Sequence, residues 1–193
     1  MITHLQGRLV EKSPTEVVVD CHGVGYLVHI SLHTFSKLPT EETIRILTHL
    51  QVREDAHTLY GFMDATERAI FRFLISVSGI GANTARTMLS SLSPADIQKA
   101  IVSEDVATIQ SIKGIGLKTA QRVIIDLRDK MVSLAGIDEV SSSINNTNSE
   151  EALSALEVLG FSRKQSQKVI DSLLKTAPDM NVESLIKNAL NKL

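Results

Sequence analysis

Two copies of the tripeptide Gly-Ile-Gly, at residues 79–81 and 114–116, are the segments of this chain best suited to bind a ligand. Each copy follows an apolar stretch with helical spacing and precedes another, so the repeated unit is predicted to be helix, glycine turn, helix. The first amides of a helix lack partners within it and lie at the positive end of its dipole, which makes an anion site. The most common extended anion is a nucleic-acid backbone, and two sites suit the two strands of a duplex.

We expect the contacts to come from the turn glycines, which let a backbone approach closely, and from the first turn of each following helix. The predicted nucleic-acid contacts are Gly79, Gly81, Ala82, Asn83 and Thr84 in the first copy and Gly114, Gly116, Lys118, Thr119 and Arg122 in the second. The chain has a net charge of −2, and only residues 64–131 are net positive, with nine basic and seven acidic side chains. Affinity should therefore depend on placed amides and a few cations, summed over several subunits.

Catalytic, nucleotide-binding, metal and membrane roles fit the sequence less well. Lys118 follows Leu117 and not the glycine that an ATPase phosphate loop needs, so the chain is not predicted to be a motor. Cys21 is the only cysteine, and the six histidines lack metal-ligand spacing, so no catalytic residue, cofactor or metal is expected. Without a membrane-length apolar run or a signal peptide, a cytoplasmic location is expected. One enzymatic alternative stays open, a helix-hairpin-helix DNA lyase in which Lys118 attacks the sugar and Asp138 assists.

The first 63 residues are predicted to form a small β-barrel, because five stretches rich in Val, Ile, Leu and Thr are separated by turn signals. These stretches are Ile2–Lys12, Glu16–Cys21, Gly25–Ser31, Ile44–Val52 and Thr58–Met63. A five-stranded OB-type barrel is the favoured fold, and an SH3-like barrel is the alternative. A binder of single strands would need stacking aromatics on the barrel. Only Tyr26, Phe35, Tyr60 and Phe62 are available there, so this third functional class ranks low.

An acidic pair, Glu54-Asp55, lies between the last two predicted strands and should form the tip of a hairpin. Most such pairs are simply solvated turns. Beside a nucleic acid, however, two carboxylates repel phosphates, by about 1 kcal/mol per close pair in a watery setting. The pair can therefore keep nucleic-acid strands apart.

Helices are predicted after residue 63. Asp64 and Glu67 form a capping-box pattern at the first helix, and Ser93-Pro94 begins another. Residues 133–149 are rich in Ser and Asn without periodicity, which predicts a flexible linker. Short amphipathic helices follow at Glu150–Leu159, Ser162–Leu174 and Val182–Leu193. The predicted fold class is α+β multidomain, with an OB-type barrel (1–63), a central all-α tandem helix-hairpin-helix domain (64–132), the linker (133–149) and a three-helix partner-binding bundle (150–193).

This order of barrel, acidic hairpin, paired glycine hairpins, linker and terminal bundle resembles the RuvA family over the whole length. The runs that carry the resemblance are Gly23-Val24-Gly25-Tyr26, Val52-Arg53-Glu54-Asp55-Ala56, Leu59-Tyr60-Gly61-Phe62, and residues 114–120 and 156–161. The resemblance implies a non-catalytic subunit that binds Holliday junctions without reading sequence, in recombination, DNA repair and the SOS response to DNA damage. It also implies a homotetramer that holds the junction open for branch migration, and an octamer when a second tetramer caps the other face of the DNA.

The resemblance further implies partners and residue roles. The implied partners are four-way junction DNA, the hexameric ATPase RuvB and the resolvase RuvC. Glu54 and Asp55 match an acidic pin at the junction centre, and the positions that match RuvB contacts are Leu156, Leu159, Phe161 and Leu190. Family members often carry paired lysines after each turn, whereas this chain has Ala82 and Asn83 in the first copy and Leu117 before Lys118 in the second. Junction binding is therefore expected to be weaker per subunit than in a lysine-rich homologue, and still salt-sensitive.

Overall fold

The computed structural model of the chain describes residues 1–139, 144–177 and 180–193. These residues form two compact units, Met1–Leu134 and Ala135–Leu193. The first unit is described throughout, and it begins with five strands and one short helix. They are β1 (His4–Lys12), β2 (Glu16–Cys21), β3 (Val24–Ile30), α1 (Leu32–Ser36), β4 (Thr43–Val52) and β5 (His57–Phe62). All five predicted strands are present, with small shifts at their ends.

The strands close into a barrel in the order β1-β2-β3-β5-β4. Neighbouring strands pair antiparallel, except β3 and β5, which run parallel with Val28 opposite Leu59. Alternate residues point inwards, and Val19, Val28 and Ile46 have no exposed surface. This closed order, with α1 between β3 and β4, is that of an OB-type barrel, so the OB prediction is confirmed over the SH3-like alternative.

Five helices follow in the described stretch that ends at residue 139. They are α2 (Ala65–Ser76), α3 (Ala82–Ser91), α4 (Pro94–Val102), α5 (Val106–Gln110) and α6 (Leu117–Glu139). Asp64 caps α2 and Ser93 caps α4, which has proline at its first position, as the sequence predicts. The buried side chains of Phe71, Met88 and Leu127 belong to one core. The tandem hairpin prediction is confirmed, and both copies fold around this single core.

The side chain of Glu67 does not complete the predicted capping box. It accepts hydrogen bonds from the hydroxyls of Ser31 and Thr34, the latter at 2.6 Å, and all three side chains are buried. Burial raises the pKa of Glu67, although the two hydroxyls act in the opposite direction. The capping-box pattern could not predict these contacts, because the hydroxyls of Ser31 and Thr34 lie 36 and 33 residues earlier in the chain. The carboxyl group therefore joins the barrel to the helices.

Besides the last residues of α6, the second unit contains three helices in its described residues. They are α7 (Ile144–Val158), α8 (Arg163–Thr176) and α9 (Val182–Leu190). Their apolar faces meet in a core of their own, in which Leu153, Ile170 and Leu185 have no exposed surface. The predicted three-helix bundle is therefore confirmed.

The described residues of the predicted linker, 133–139 and 144–149, are helical. The helix α6 continues to Glu139 and α7 begins at Ile144, whereas residues 140–143 lie outside the described residues. Leu134 packs against the core of the first unit, and each residue added to an existing helix gains a hydrogen bond. The helix α6 therefore continues past residue 132, in spite of the Ser/Asn-rich composition of residues 133–149. Among the helices described, none combines the length and apolar character needed to cross a bilayer.

Candidate nucleic-acid interface

The two Gly-Ile-Gly turns have the same backbone geometry. In each, the isoleucine N–H donates to the carbonyl oxygen three residues earlier, at 3.1 Å for Ile80 and 3.0 Å for Ile115. The first glycine of each turn has a left-handed backbone, with φ of +94° at Gly79 and +90° at Gly114. Side chains rarely adopt this conformation, which accounts for glycine at both positions. Both isoleucines are buried, so the central side chain anchors each turn while the glycines stay exposed.

Each turn leads into a helix whose first amides are available. Gly81 precedes α3 without a side-chain cap, and the first helical hydrogen bond runs from Ala85 to the Gly81 carbonyl at 2.9 Å. The matching bond of the second copy, to Gly116, has the same length. The amides of residues 82–84 and 117–119 lie ahead of these bonds. A Cβ atom placed on either glycine would meet nothing within 4 Å, so an anion such as a phosphate can reach both helix ends.

The first hairpin offers neutral groups at the start of α3. Ala82 is buried in the helical core and can contribute only its amide. Asn83 is exposed, and its Oδ1 accepts a hydrogen bond from the hydroxyl of Tyr60 at 3.1 Å. Tyr60 is only 4% exposed, and burial raises the pKa of its hydroxyl. With its oxygen held in this way, Asn83 presents its NH₂ group as a donor beside the half-buried Thr84.

The cation nearest in sequence to the first turn, Arg86, is held by the barrel. Its guanidinium donates to the carbonyl of Thr15 at 3.1 Å and lies 3.4 Å from Nδ1 of His29. Burial lowers the pKa of His29 and the Arg86 charge lowers it further, so the imidazole faces the guanidinium in its neutral form. These contacts fix α3 on the barrel and engage the arginine within the unit.

The second hairpin is cationic. Lys118 and Arg122 are exposed at the start of α6, and Lys113 is exposed just before the turn. Within the described chain, none of these three side chains has an ion pair or a hydrogen bond. The fourth polar side chain of this hairpin, Thr119, is half-buried. Lys113 is missing from the predicted contacts. It occupies the position of Ser78 in the first copy, and aligning the two copies is the signal that finds it.

The acidic pair lies at the tip of the β4–β5 hairpin. The two strands pair up to the turn, which is closed by a 2.9 Å hydrogen bond from the Arg53 N–H to the Ala56 carbonyl. Glu54 and Asp55 are exposed between these residues, and neither forms an ion pair with any residue that the structure describes. Two carboxylates in water on a narrow hairpin can approach a separated nucleic-acid strand and repel its phosphates.

One group of side chains has the spacing of a metal site, near the start of α2. Ligand atoms of His33, Asp64 and Glu67 lie within 4.8 Å of one another. The carboxylate oxygens of Asp64 and Glu67 already have partners. Lys37 Nζ lies 2.8 Å from Asp64, and the Thr34 hydroxyl donates a hydrogen bond to Glu67. An ammonium group in this place repels a metal ion. The group is therefore better described as an ion-paired network that joins α1 to α2 than as a metal centre.

The two alternative functions gain no support from the side chains around them. Tyr60 and Phe62 are buried, and Tyr26 and Phe35 pack against the barrel core, so these four aromatics form no stacking platform for single strands. Lys118 is exposed at the start of α6, as a phosphate contact would be. Its suggested partner in a lyase, Asp138, lies outside the residues whose side chains the structure describes.

The second unit has an exposed apolar surface. A groove of about 530 Å³ is lined by Glu151, Ser154, Ala155, Val158, Leu159 and Ile186. Val158 is 85% exposed, Leu159 57% and Leu190 41%. Of the four predicted partner contacts, Phe161 is half-buried and Leu156 is fully buried in the bundle core, so Leu156 cannot touch a partner. The resemblance placed Leu156 among the partner contacts, and helical spacing agrees, but spacing alone does not separate core from surface. The groove also contains Val158 and Ile186, which are not among the predicted contacts.

Three family models match the chain in the order of its domains. The RuvA N terminal domain matches residues 1–61, the SAM-like helix-hairpin-helix tandem matches residues 71–129, and the RuvA C-terminal domain matches residues 147–193. Two proteins named Holliday junction branch migration complex subunit RuvA, from Christiangramia forsetii and Flavobacterium psychrophilum, are each 62% identical to it over all of both chains. A protein of the same name from Cytophaga hutchinsonii is 50% identical over 98% of both chains.

Proposed function

Because the chain belongs to the RuvA family, we propose that it binds Holliday junctions as a non-catalytic subunit of a branch migration complex. The observation that carries the proposal is the pair of matching helix N-termini, held in one compact unit with an exposed acidic hairpin. Backbone amides bind phosphates whatever the base, so such an interface recognises the shape of the DNA backbone and not its sequence. Such a substrate places the protein with the chromosome, in the bacterial cytoplasm.

The two hairpins divide the contact with a duplex arm of the junction. The amides of residues 82–84, with the Asn83 NH₂ group, bind phosphates of one strand. The amides of residues 117–119 bind those of the other strand, with Lys118 and Arg122 adding charge. Both sites belong to one core, so their separation is fixed before DNA binds. A fixed separation favours a double-stranded arm over a single strand.

The acidic tip acts at the centre of the junction. There, Glu54 and Asp55 from each of four subunits surround the point where strands exchange partners. Each close carboxylate–phosphate pair contributes repulsion of about 1 kcal/mol in a watery setting. Summed over a tetramer, this repulsion keeps the separated strands from pairing again across the centre.

The second unit recruits the motor. An apolar groove lined by Leu159 and Ile186, with the exposed Leu190 one turn after Ile186 on α9, suits an apolar surface of the RuvB ATPase, and four copies in one tetramer add their affinities. The buried Leu156 supports this surface from below.

A Leu159→Glu variant should lose RuvB in a pull-down while keeping junction affinity. A Leu156→Ala variant should instead lower the stability of the bundle, by about 2–5 kcal/mol. The RuvC resolvase completes the set of proposed partners.

The first test is a titration of a four-way junction against a linear duplex of the same sequence. Strong preference for the junction supports the proposal, and equal affinity for the two DNAs contradicts it. The slope of log affinity against log salt concentration, per subunit, should be shallower than the slope for about six to ten phosphate contacts. A slope as steep as that would refute the expected weak binding per subunit.

The Glu54→Gln/Asp55→Asn variant tests the acidic tip. It should keep or increase junction affinity, because the repulsion is gone, and should separate the strands less. A fluorescent base analogue placed at the crossover reports that separation. The matched control, Glu41→Gln/Glu42→Gln, removes an equally exposed acidic pair elsewhere on the barrel and should leave the fluorescence unchanged.

A further inference from the structure

Three basic side chains meet where α2 packs on the barrel, outside both hairpins. Arg68 and Arg72 lie one turn apart on α2, and His49 lies on β4 with its ring 5.5 Å from that of Phe71. All three basic side chains are half-buried. Arg68 donates a 2.9 Å hydrogen bond to the carbonyl of Thr3, which fixes it against the start of the chain.

Two nitrogen atoms of this group are buried without a partner. They are Nδ1 of His49 and Nε of Arg72, which accept or donate no hydrogen bond in the structure. Buried polar atoms are almost always paired, because an unpaired one loses its interaction with water and gains nothing in return. Within the described chain, the Arg72 guanidinium therefore has no hydrogen-bond partner, and its half-buried side chain is available to a ligand.

The group also lacks a negative charge. No described carboxylate forms an ion pair with Arg68 or Arg72, and the acids of α2, Asp64 and Glu67, are engaged with Lys37 and with hydroxyl groups. Burial lowers the pKa values of His49 and Arg68, and the charge of Arg72 lowers both further. The two guanidinium groups are like charges in a half-buried place, and they destabilise the fold unless an anion joins them.

The position of the group suggests which anion it binds. Along β4, His49 is three residues before Val52, where the strand reaches the acidic hairpin, a distance of about 10 Å. Across the sheet, His49 pairs with Tyr60, whose hydroxyl holds Asn83 at the first hairpin. The group therefore lies between the acidic tip, which repels phosphates, and the first hairpin, which binds them.

We propose that Arg72, with Arg68 and His49, binds a backbone phosphate of the DNA strand that runs from the acidic tip to the first hairpin. This inference rests on the proposed junction-binding function. A guanidinium binds phosphate through two parallel hydrogen bonds, and the terminal nitrogens of the half-buried Arg72 can supply both. The contact would be made only where strands separate, so it would favour a junction over a linear duplex.

Fluorescence anisotropy titrations of the full chain, with a junction and with a linear duplex over a range of salt concentrations, test the proposal. Arg72→Gln should lower junction affinity about tenfold and make the salt slope shallower by about 0.9 for each phosphate that the variant leaves unneutralised, while duplex affinity changes less than about twofold. Arg72→Lys keeps the charge and should restore most of the affinity. The control Lys99→Gln removes an exposed lysine of α4 and should change neither affinity.

Three results would overturn the proposal: unchanged junction affinity in Arg72→Gln, an equal loss on both DNAs, or a change in assembly mass without DNA. The last result would assign the group to a carboxylate of a second copy of the chain. If Arg72→Gln is less stable to heat, Arg72→Met, which keeps the aliphatic stem, replaces it. Wild-type protein in the same titrations tests the proposed function separately, because only a lack of junction preference there would refute it.

Discussion

The two glycine hairpins share a backbone but differ in the side chains around it. A left-handed glycine, a buried isoleucine and an uncovered helix N-terminus recur in both copies. The first copy then has a neutral amide, Asn83, and its arginine, Arg86, is hydrogen-bonded to the barrel. The second copy exposes Lys113, Lys118 and Arg122. The difference indicates that the proposed anion site depends on the backbone, and that charge is a separate addition which one copy carries.

This comparison predicts different tasks for the two copies. The cationic copy should supply most of the salt-dependent affinity, because each phosphate neutralised by a lysine or arginine releases counterions. The neutral copy should supply position, since Asn83 is held by a buried tyrosine and donates without a charge. Variants can break the shared part or change the part that differs.

Replacing the left-handed glycines should have the largest effect, and an equal one in both copies. Gly79→Ala and Gly114→Ala each place a Cβ atom on a left-handed backbone, which costs about 1–2 kcal/mol of folding stability. The amides that follow are displaced, so junction affinity should fall about tenfold in each variant. Thermal unfolding and anisotropy measure the two effects.

The stability control for the Gly79→Ala and Gly114→Ala variants is Gly81→Ala. Gly81 has φ of −84° and open space around it, so alanine should change the free energy of unfolding by less than about 0.5 kcal/mol. A clear inequality between the Gly79 and Gly114 variants would contradict the conclusion that the two copies share one backbone design.

Neutral variants at the two helix starts should separate the copies by salt dependence. Lys118→Gln should lower affinity about fivefold near 0.1 M salt and reduce the slope of log affinity against log salt by about 0.9 per phosphate. Asn83→Ala should lower affinity less and leave the slope unchanged. Potassium chloride titrations of both variants give the two slopes, and a reduced slope for Asn83→Ala would refute the division of tasks.

Adding a charge to the neutral copy should make the two copies more alike. Asn83→Lys places a cation at the start of α3, so affinity should rise about threefold and the slope should steepen by about 0.9 per phosphate. Ser91→Lys adds the same charge at the other end of α3 and should have a smaller effect. Equal gains from both variants would mean that only net charge matters.

The smallest effect is expected from the tyrosine behind Asn83. Tyr60→Phe removes the hydroxyl that holds Oδ1, so the amide can rotate and junction affinity should fall about twofold. In an Asn83→Ala background, Tyr60→Phe should have no further effect on affinity, because the tyrosine acts through the asparagine. A full additional loss in the double variant would show that Tyr60 acts by another route.

Local features of the fold could be predicted from the sequence. Strands, turns and the caps at Asp64 and Ser93 depend on neighbouring residues, and the structure confirms them. The glycine turns were recognisable for the same reason, since two aligned copies mark the positions where only glycine suits the backbone.

Contacts between distant segments could not be predicted. Tyr60 and Asn83 are 23 residues apart, and Glu67 meets hydroxyls from a segment before β4, so no local pattern shows either pair. Similarly, helical spacing places Leu156 and Leu159 on related faces, yet one is fully buried and the other is 57% exposed. Which of them is covered depends on where the other helices of the bundle pack.

The buried carboxyl of Glu67 has a consequence for how the first unit unfolds. Separating the barrel from the helices would break its hydrogen bonds to Ser31 and Thr34 and the link from Arg86 to Thr15. Such an opening would also expose the core that Tyr60 and Phe62 of the barrel share with the helices, so no stable half-way state is expected. Barrel and hairpins should therefore exchange their amide hydrogens as one cooperative block, and the acidic tip should keep a constant distance from both hairpins for as long as the block is folded.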